Sequence, residues 1–248
     1  ALGASPVTLD YTTTAVAAIP QALLYNVYEP LLKIDAEGEL QPLRAEYWEV
    51  SEDRLGYTCT RRSGVEFSDG TPMTAEDAAD SLNRLEDWTT APRGLLSGIE
   101  EAFARDDRTL VVRLAEPDNM VLENLAGPGG TVFKPGTEAT RASEPIGTGP
   151  YTVTSATPGV SIQLEAHEGY WGEAPPTRHL SLEYYADATA QANALLSGGA
   201  DVALAFPAPQ LLGQFDDEAA FTVHAGTTNR SEEHTSEPQS RGLISFAV

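Results

Sequence analysis

The sequence predicts an α/β fold. Three observations carry this: a strand–helix–strand pattern over 180–206, two hairpin signatures within 51–114, and a capped helix opening at Thr74. The chain has 248 residues, 41% of them hydrophobic, enough to bury a sizeable core as one large domain or two small ones.

Taken in order, residues 7–11 (VTLDY) alternate apolar and polar and predict a short strand, followed by a threonine run, Thr12, Thr13 and Thr14. Apolar residues then recur at helical spacing from Ile19 to Leu32, which predicts an amphipathic helix over 20–32, with Pro20 in its first turn and Pro30 bending or ending it. Residues 34–40 read as a strand, a turn at Glu37-Gly38 and a return, leading to Trp48, a core candidate. The first hairpin signature combines the turn formers at 51–53, the alternating Tyr57, Cys59 and Arg61, and the turn at Asp69-Gly70. Thr74 and Asp77 form a capping box: threonine accepts from an orphan amide and the carboxylate reaches back three positions. Ala75, Ala78, Ala79, Leu82 and Leu85 then share one face.

Residues 88–97 form a loop carrying one aromatic, Trp88, and one cation, Arg93. The second hairpin spans 99–103 and 109–114 around Asp106-Asp107, and a helical patch at 121–126 is broken by the glycines of 127–130. Gly147, Thr148, Gly149 and Pro150 predict a rigid corner, with glycines free to take positive φ, before strands at 151–155 and 161–166. A strand at 180–185 leads to Asp187, which caps a helix over 188–196 that stops at Gly198-Gly199; residues 201–206 (DVALAF) predict a buried parallel strand.

Composition narrows the function. Fifteen basic against 37 acidic residues give a net charge of -22, which repels phosphate backbones and anionic lipid and argues against nucleic-acid binding. The single Cys59 excludes an internal disulfide and a multi-cysteine metal site. No run approaches the roughly 20 apolar residues of a membrane helix, and no basic, then apolar leader opens the chain, so it is expected either to be cytoplasmic or to have lost a signal. Glu76, Asp77 and Asp80 invite a metal reading, but carboxylates in a first helical turn serve capping and solvation. His167, His179, His224 and His234 form no i, i+4 pair, and no nucleophile elbow, dinucleotide fingerprint or phosphate-loop lysine occurs. The expectation is no enzyme, no metal and no cofactor.

Five ordered blocks now add up to a resemblance. YNVYEPLLKIDAEGELQP (25–42), Trp48 before Ser51-Glu52-Asp53, GVEFSDGTPMTAEDAADSLNRL (64–85), PIGTGPY (145–151) and YWGEAPP (170–176) resemble the peptide, nickel and oligosaccharide solute-binding proteins of bacterial ABC importers, solute-binding family 5, over about 5–228. Cys59, Arg61, Ser68 and Ala78 depart from the residue types usual in that family.

The resemblance implies a periplasmic-binding-protein type II-like first lobe with an inserted α+β subdomain, the second lobe missing. Residues 1–44 and 142–229 would be the lobe's core, 45–141 the insert, and 230–248, which is polar and without period, a non-native tail. It implies a monomeric extracytoplasmic receptor, periplasmic or lipid-anchored, that captures an oligopeptide or other small solute and delivers it to ABC permease subunits. Weak or absent binding is expected of a single lobe. The ligand contacts it implies are Thr12, Thr13 and Thr14, with Trp88 and Arg93 from the insert. The rival readings are a ligand-sensing domain of a regulator with this fold and an unrecognised hydrolase.

Overall fold

The computed structural model describes residues 1–2, 6, 8–14, 18–35, 37–89, 98–204, 206–216, 220–226 and 243–247. In chain order the elements are α1 (Ala18–Leu23), β1 (Leu32–Ile34), β2 (Leu40–Pro42), β3 (Ala45–Val50), β4 (Gly56–Arg61), α2 (Ala75–Asn83), β5 (Ile99–Asp106), β6 (Thr109–Leu114) and α3 (Val121–Leu125). There follow β7 (Tyr151–Thr157), β8 (Ser161–Ala166), β9 (His179–Glu183), α4 (Ala188–Leu196), β10 (Val202–Ala203), β11 (Thr222–Gly226) and β12 (Leu243–Ala247). The chain divides into two compact units, one of Thr8–Ala156 with Gln163–Leu180, the other of Ala1–Val7, Thr157–Ile162 and Ser181–Val248. The segment 45–141 lies wholly within the first.

That larger unit is built on a four-stranded antiparallel sheet in the order β3-β4-β6-β5. Both hairpins form where the turn residues place them. Tyr57 and Cys59 alternate inward from β4 and meet Leu110 and Val112 of β6 in one core. Helix α2 closes this core with Ala75, Ala78, Ala79 and Leu82, and its N-terminus is the capping box: Thr74 Oγ1 accepts from Asp77 N, and Thr74 N donates to Asp77 Oδ2 at 2.7 Å. Trp48 packs on the same cluster, half-buried. Burial pushes the Cys59 thiol up to about 12, so it behaves as a small core hydrophobe.

Two secondary-structure expectations fail in this unit. The described part of 7–11 is a turn instead of a strand, because Asp10 Oδ1 accepts from both Thr12 N (2.9 Å) and Thr12 Oγ1 (2.6 Å), drawing the backbone out of extension. The helix expected over 20–32 ends at Leu23: Tyr25 is left-handed (φ 66°), and the amides of Val27 and Tyr28 both fold back onto Leu23 O. Val27, Tyr28, Leu31 and Leu32 are buried from this loop and strand, so their spacing mimics a helical stripe.

The 145–171 stretch is tied to that loop. Gly147 and Gly149 are not in the positive-φ region; their role is close approach, since a Cβ at Gly147 would lie 2.0 Å from Val27 O and one at Gly149 2.3 Å from Asn26 O. Gly149 N and Tyr151 N each donate to this loop at 2.9 Å, to Val27 O and Asn26 O. Behind the corner, Glu29 and Arg44 form a buried ion pair; Arg44 also donates to Thr148 O (2.7 Å) and lies 4.4 Å from the Trp171 ring centroid. Tyr170 Oη (2.8 Å) and Trp171 Nε1 (3.3 Å) donate to the Glu29 carboxylate.

In the smaller unit α4 is capped as expected, Asp187 Oδ1 accepting from Ala190 N at 2.8 Å, and Gly198 follows it at φ 72°. Ala192, Leu195, Ala203, Phe206 and Phe215 form its core. The parallel strand expected over 201–206 is instead two residues, β10, paired antiparallel to β12; β12 also pairs antiparallel with β11.

Candidate functional site

Within the larger unit a cavity of about 190 Å³ opens between the 10–13 turn, the C-terminal half of α2 with the 3-10 turn Arg84–Asp87, and the 133–141 loop. Its aromatic wall comes from a cluster with ring centroids 5.0 to 6.0 Å apart: Tyr11 and Phe133 sit at its centre, with Tyr28 and Trp88 at the edges. Edge-to-face pairs of this kind add about 0.5–1.5 kcal/mol each beyond area burial and so fix the wall. Tyr11 Oη donates to Thr131 Oγ1 at 2.5 Å, and burial holds its pKa well above the ordinary tyrosine value. Ser81 Oγ accepts from Phe133 N at 2.9 Å, anchoring the ring's backbone to α2.

The polar lining is sorted into committed and uncommitted groups. Arg84 pairs with Glu138 and approaches Asp87 (3.5 Å) and Asp80 (3.8 Å); the hydrogen bond it donates to Glu138 raises its pKa. Lys134 pairs with Asp69. Burial pushes the Asp69 carboxyl up, but hydrogen bonds from Lys134 and Thr71 outweigh it and leave the pKa below the ordinary value. Asp10 is engaged by Thr12. Arg141, buried and stacked 4.1 Å from the Phe133 centroid, enters no ion pair among the described residues.

Of the residues expected from sequence, Thr12, Thr13 and Trp88 are brought together in this lining. Thr89 N donates to Thr12 O at 3.1 Å, joining the two loops across the sequence. Thr12 is buried with its hydroxyl turned to Asp10, whereas Thr13 is exposed and its hydroxyl donates to Asp10 O at 3.0 Å. Thr14 follows half-buried, outside the lining, and Arg93 lies outside the described residues. Sequence reasoning missed Asp10, Glu138 and Arg141. The 133–141 loop that supplies two of them has no period or motif, and only the scarcity of cations in so acidic a chain marks Arg141.

Chemically, the cavity offers hydrogen-bond donors and acceptors, an aromatic face and a cation, which suits binding a small polar solute. Among the described residues no group of three or more His, Cys, Asp or Glu is placed to hold a metal ion, and no helix is long and apolar enough to cross a membrane.

Comparison with known proteins places this geometry. The family model of the bacterial extracellular solute-binding proteins, family 5 Middle, matches residues 39–238. The chain belongs to the family 5 solute-binding proteins. Protein XP55 of Streptomyces lividans is 33% identical over 196 residues, 73% of this chain and 35% of that protein. The glutathione-binding protein GsiB of Escherichia coli (strain K12) is 29% identical over 216 residues, 84% of this chain and 42% of that one. A probable peptide ABC transporter periplasmic-binding protein, y4tO of Sinorhizobium fredii, is 32% identical over 162 residues, 62% of this chain and 30% of its own length. Among solved structures, the nickel ABC transporter from Bacillus halodurans superposes with a TM-score of 0.80 at 29% identity, covering 92% of this chain and 46% of that one. The present family 5 chain thus spans less than half the length of these relatives, with the mixed α/β fold of a partial first lobe. GsiB and y4tO are both named as binding proteins.

Proposed function

We propose that this protein is the extracytoplasmic substrate-binding component of an ABC importer, periplasmic or lipid-anchored, that captures short peptides and hands them to a membrane permease. The observation that carries this reading is the family match over 39–238. Peptides are the solute class favoured because two relatives are named for a peptide importer and for glutathione, itself a tripeptide. In this reading Thr12, Thr13 and Thr14 present hydroxyls and backbone to the ligand, Trp88 stacks on a side chain, and Arg93 contributes a cation to ligand binding. Residues 45–141 act as the insert of the lobe, supplying Trp88 to a core formed by 1–44 and 142–229. Solute is enclosed when a second lobe closes over this surface, so the single lobe binds weakly.

A chelated metal is the second solute class, favoured by the likeness to the nickel transporter. Calorimetry on the protein expressed from its genomic reading frame, with tri-alanine, glutathione and a nickel–histidine complex as titrants, separates the two. Micromolar binding of a peptide is expected. Binding of the nickel complex alone would reassign the solute, and turnover of a peptide or ester without stoichiometric binding would overturn the receptor reading.

A further inference from the structure

The cavity holds three cations, and their fates differ. Arg84 is satisfied by Glu138, with Asp80 and Asp87 beside it, and Lys134 by Asp69. Arg141 is 7% exposed, more deeply buried than either, yet it enters no ion pair among the described residues, and its Nε is sealed from solvent without a hydrogen-bond acceptor. The Phe133 ring face lies 4.1 Å from its guanidinium carbon, with the Tyr11 and Tyr28 side chains within its electrostatic reach. A ring face offsets only part of the cost of burying a guanidinium, which ordinarily demands a carboxylate or several carbonyl acceptors.

Asp10, the other buried charge in the lining, is turned onto the amide and hydroxyl of Thr12 and is not paired with Arg141. The carboxylates of this lining are thus engaged elsewhere: Asp10 accepts from Thr12, and Glu138, Asp80 and Asp87 surround Arg84. What remains is a buried guanidinium on the wall of a 190 Å³ cavity, its carbon held 4.1 Å from the Phe133 ring centroid before a ligand arrives. Guanidinium groups held this way recognise carboxylates by parallel N–H···O bonds.

From this geometry we propose that Arg141 is an anion-anchoring residue of the cavity and that the solute it takes carries a carboxylate. The inference deepens the receptor reading and rests on it, adding the ligand group and the residue that holds it. Because Nε is already buried, the carboxylate docks on the terminal nitrogens, and an uncharged isostere gains little from them.

The test uses the whole 248-residue chain, labelled with nitrogen-15, and follows the arginine Nε–Hε signals while sodium acetate or acetamide is added at constant ionic strength. The Arg141 signal is assigned through its contact with the Phe133 ring, so the assignment needs no variant. A saturating shift of that signal with acetate, at least tenfold larger than with acetamide, is expected, and the accompanying shift of the Phe133 backbone amide should be lost in R141Q while the rest of the backbone amide spectrum is preserved. Equal responses to both probes, or a non-saturating drift shared with exposed arginines such as Arg113, would overturn the proposal. That failure would leave peptide capture standing, since calorimetry tests it separately. An acetate response without peptide binding would instead retain the anion site and remove the peptide reading.

Discussion

Replacing Glu29 by glutamine perturbs the deepest electrostatic contact of the larger unit. Arg44 is fully buried and Glu29 nearly so, and their pairing is supported by Tyr170, Trp171 and Thr148. Burial lowers the Arg44 pKa from the ordinary arginine value, yet a guanidinium stays protonated at neutral pH, so E29Q leaves a charge in the core without its counterion. Breaking one half of such a pair costs about 3–5 kcal/mol; glutamine keeps one oxygen able to accept from Tyr170 or Trp171, which places E29Q near about 3 kcal/mol. Among the described residues Arg44 Nε and one terminal nitrogen already lack acceptors, so little remains nearby to absorb the loss. The assay is urea unfolding of wild type, E29Q, R44M and E29Q/R44M as a double-mutant cycle. The double variant should be less destabilised than the two singles summed, by about 2 kcal/mol. A single-variant loss below about 1 kcal/mol, or additive singles, would refute the claim that this pair holds the 145–171 stretch to the 26–29 loop.

Other outcomes follow from the same contacts. G147A drives a Cβ to 2.0 Å from the Val27 carbonyl oxygen, a backbone atom that cannot swing away, and should cost at least about 3 kcal/mol in the same assay, whereas G98A, whose Cβ would meet nothing nearer than Asp118 Cβ at 3.8 Å, should cost much less. T74A removes the oxygen that caps α2 and should cost about 0.5–2 kcal/mol, detectable as faster amide exchange in the first helical turn. With its pKa near 12 and its side chain in the core, Cys59 should resist iodoacetamide at pH 8 until urea exposes it. Asp69 has a depressed pKa in the folded state, so its contribution is present above the unfolded carboxylate range and is lost as pH falls through the lower folded value. D69N should accordingly flatten the acid limb of the stability curve below about pH 4 and leave its alkaline limb unchanged.

Local chemistry made much of the fold legible. The Thr74–Asp77 box and the Asp187 cap are short-range hydrogen-bond patterns, and the turns at Asp69-Gly70 and Glu37-Gly38 rest on glycine's freedom at φ 82° and 86°. What misled was periodicity without hydrogen bonding. Residues 20–32 have a helical stripe, but the left-handed Tyr25 turns the chain back, and the stripe is filled from a loop and β1. Residues 7–11 alternate like a strand, yet the Asp10 side chain outcompetes a ladder for the nearby amide. Gly147 and Gly149 were legible as backbone-determined positions, though the cause is a neighbouring carbonyl, invisible without tertiary structure. Thr12, Thr13 and Trp88, expected from the resemblance, lie in the cavity lining, while nothing in the sequence pattern pointed to Arg141. Its significance lies in the partners it lacks, and that is a property of packing.

Solute capture requires that a peptide enter the cavity walled by Trp88. The chain has three tryptophans, Trp48, Trp88 and Trp171, so its indole N–H spectrum offers three reporters, two of them outside the cavity lining. Tri-alanine titrated to millimolar concentration should move the Trp88 indole signal along a saturating curve and leave those of Trp48 and Trp171 in place. A stationary Trp88 signal, or a larger saturating shift at Trp48 or Trp171, would contradict it.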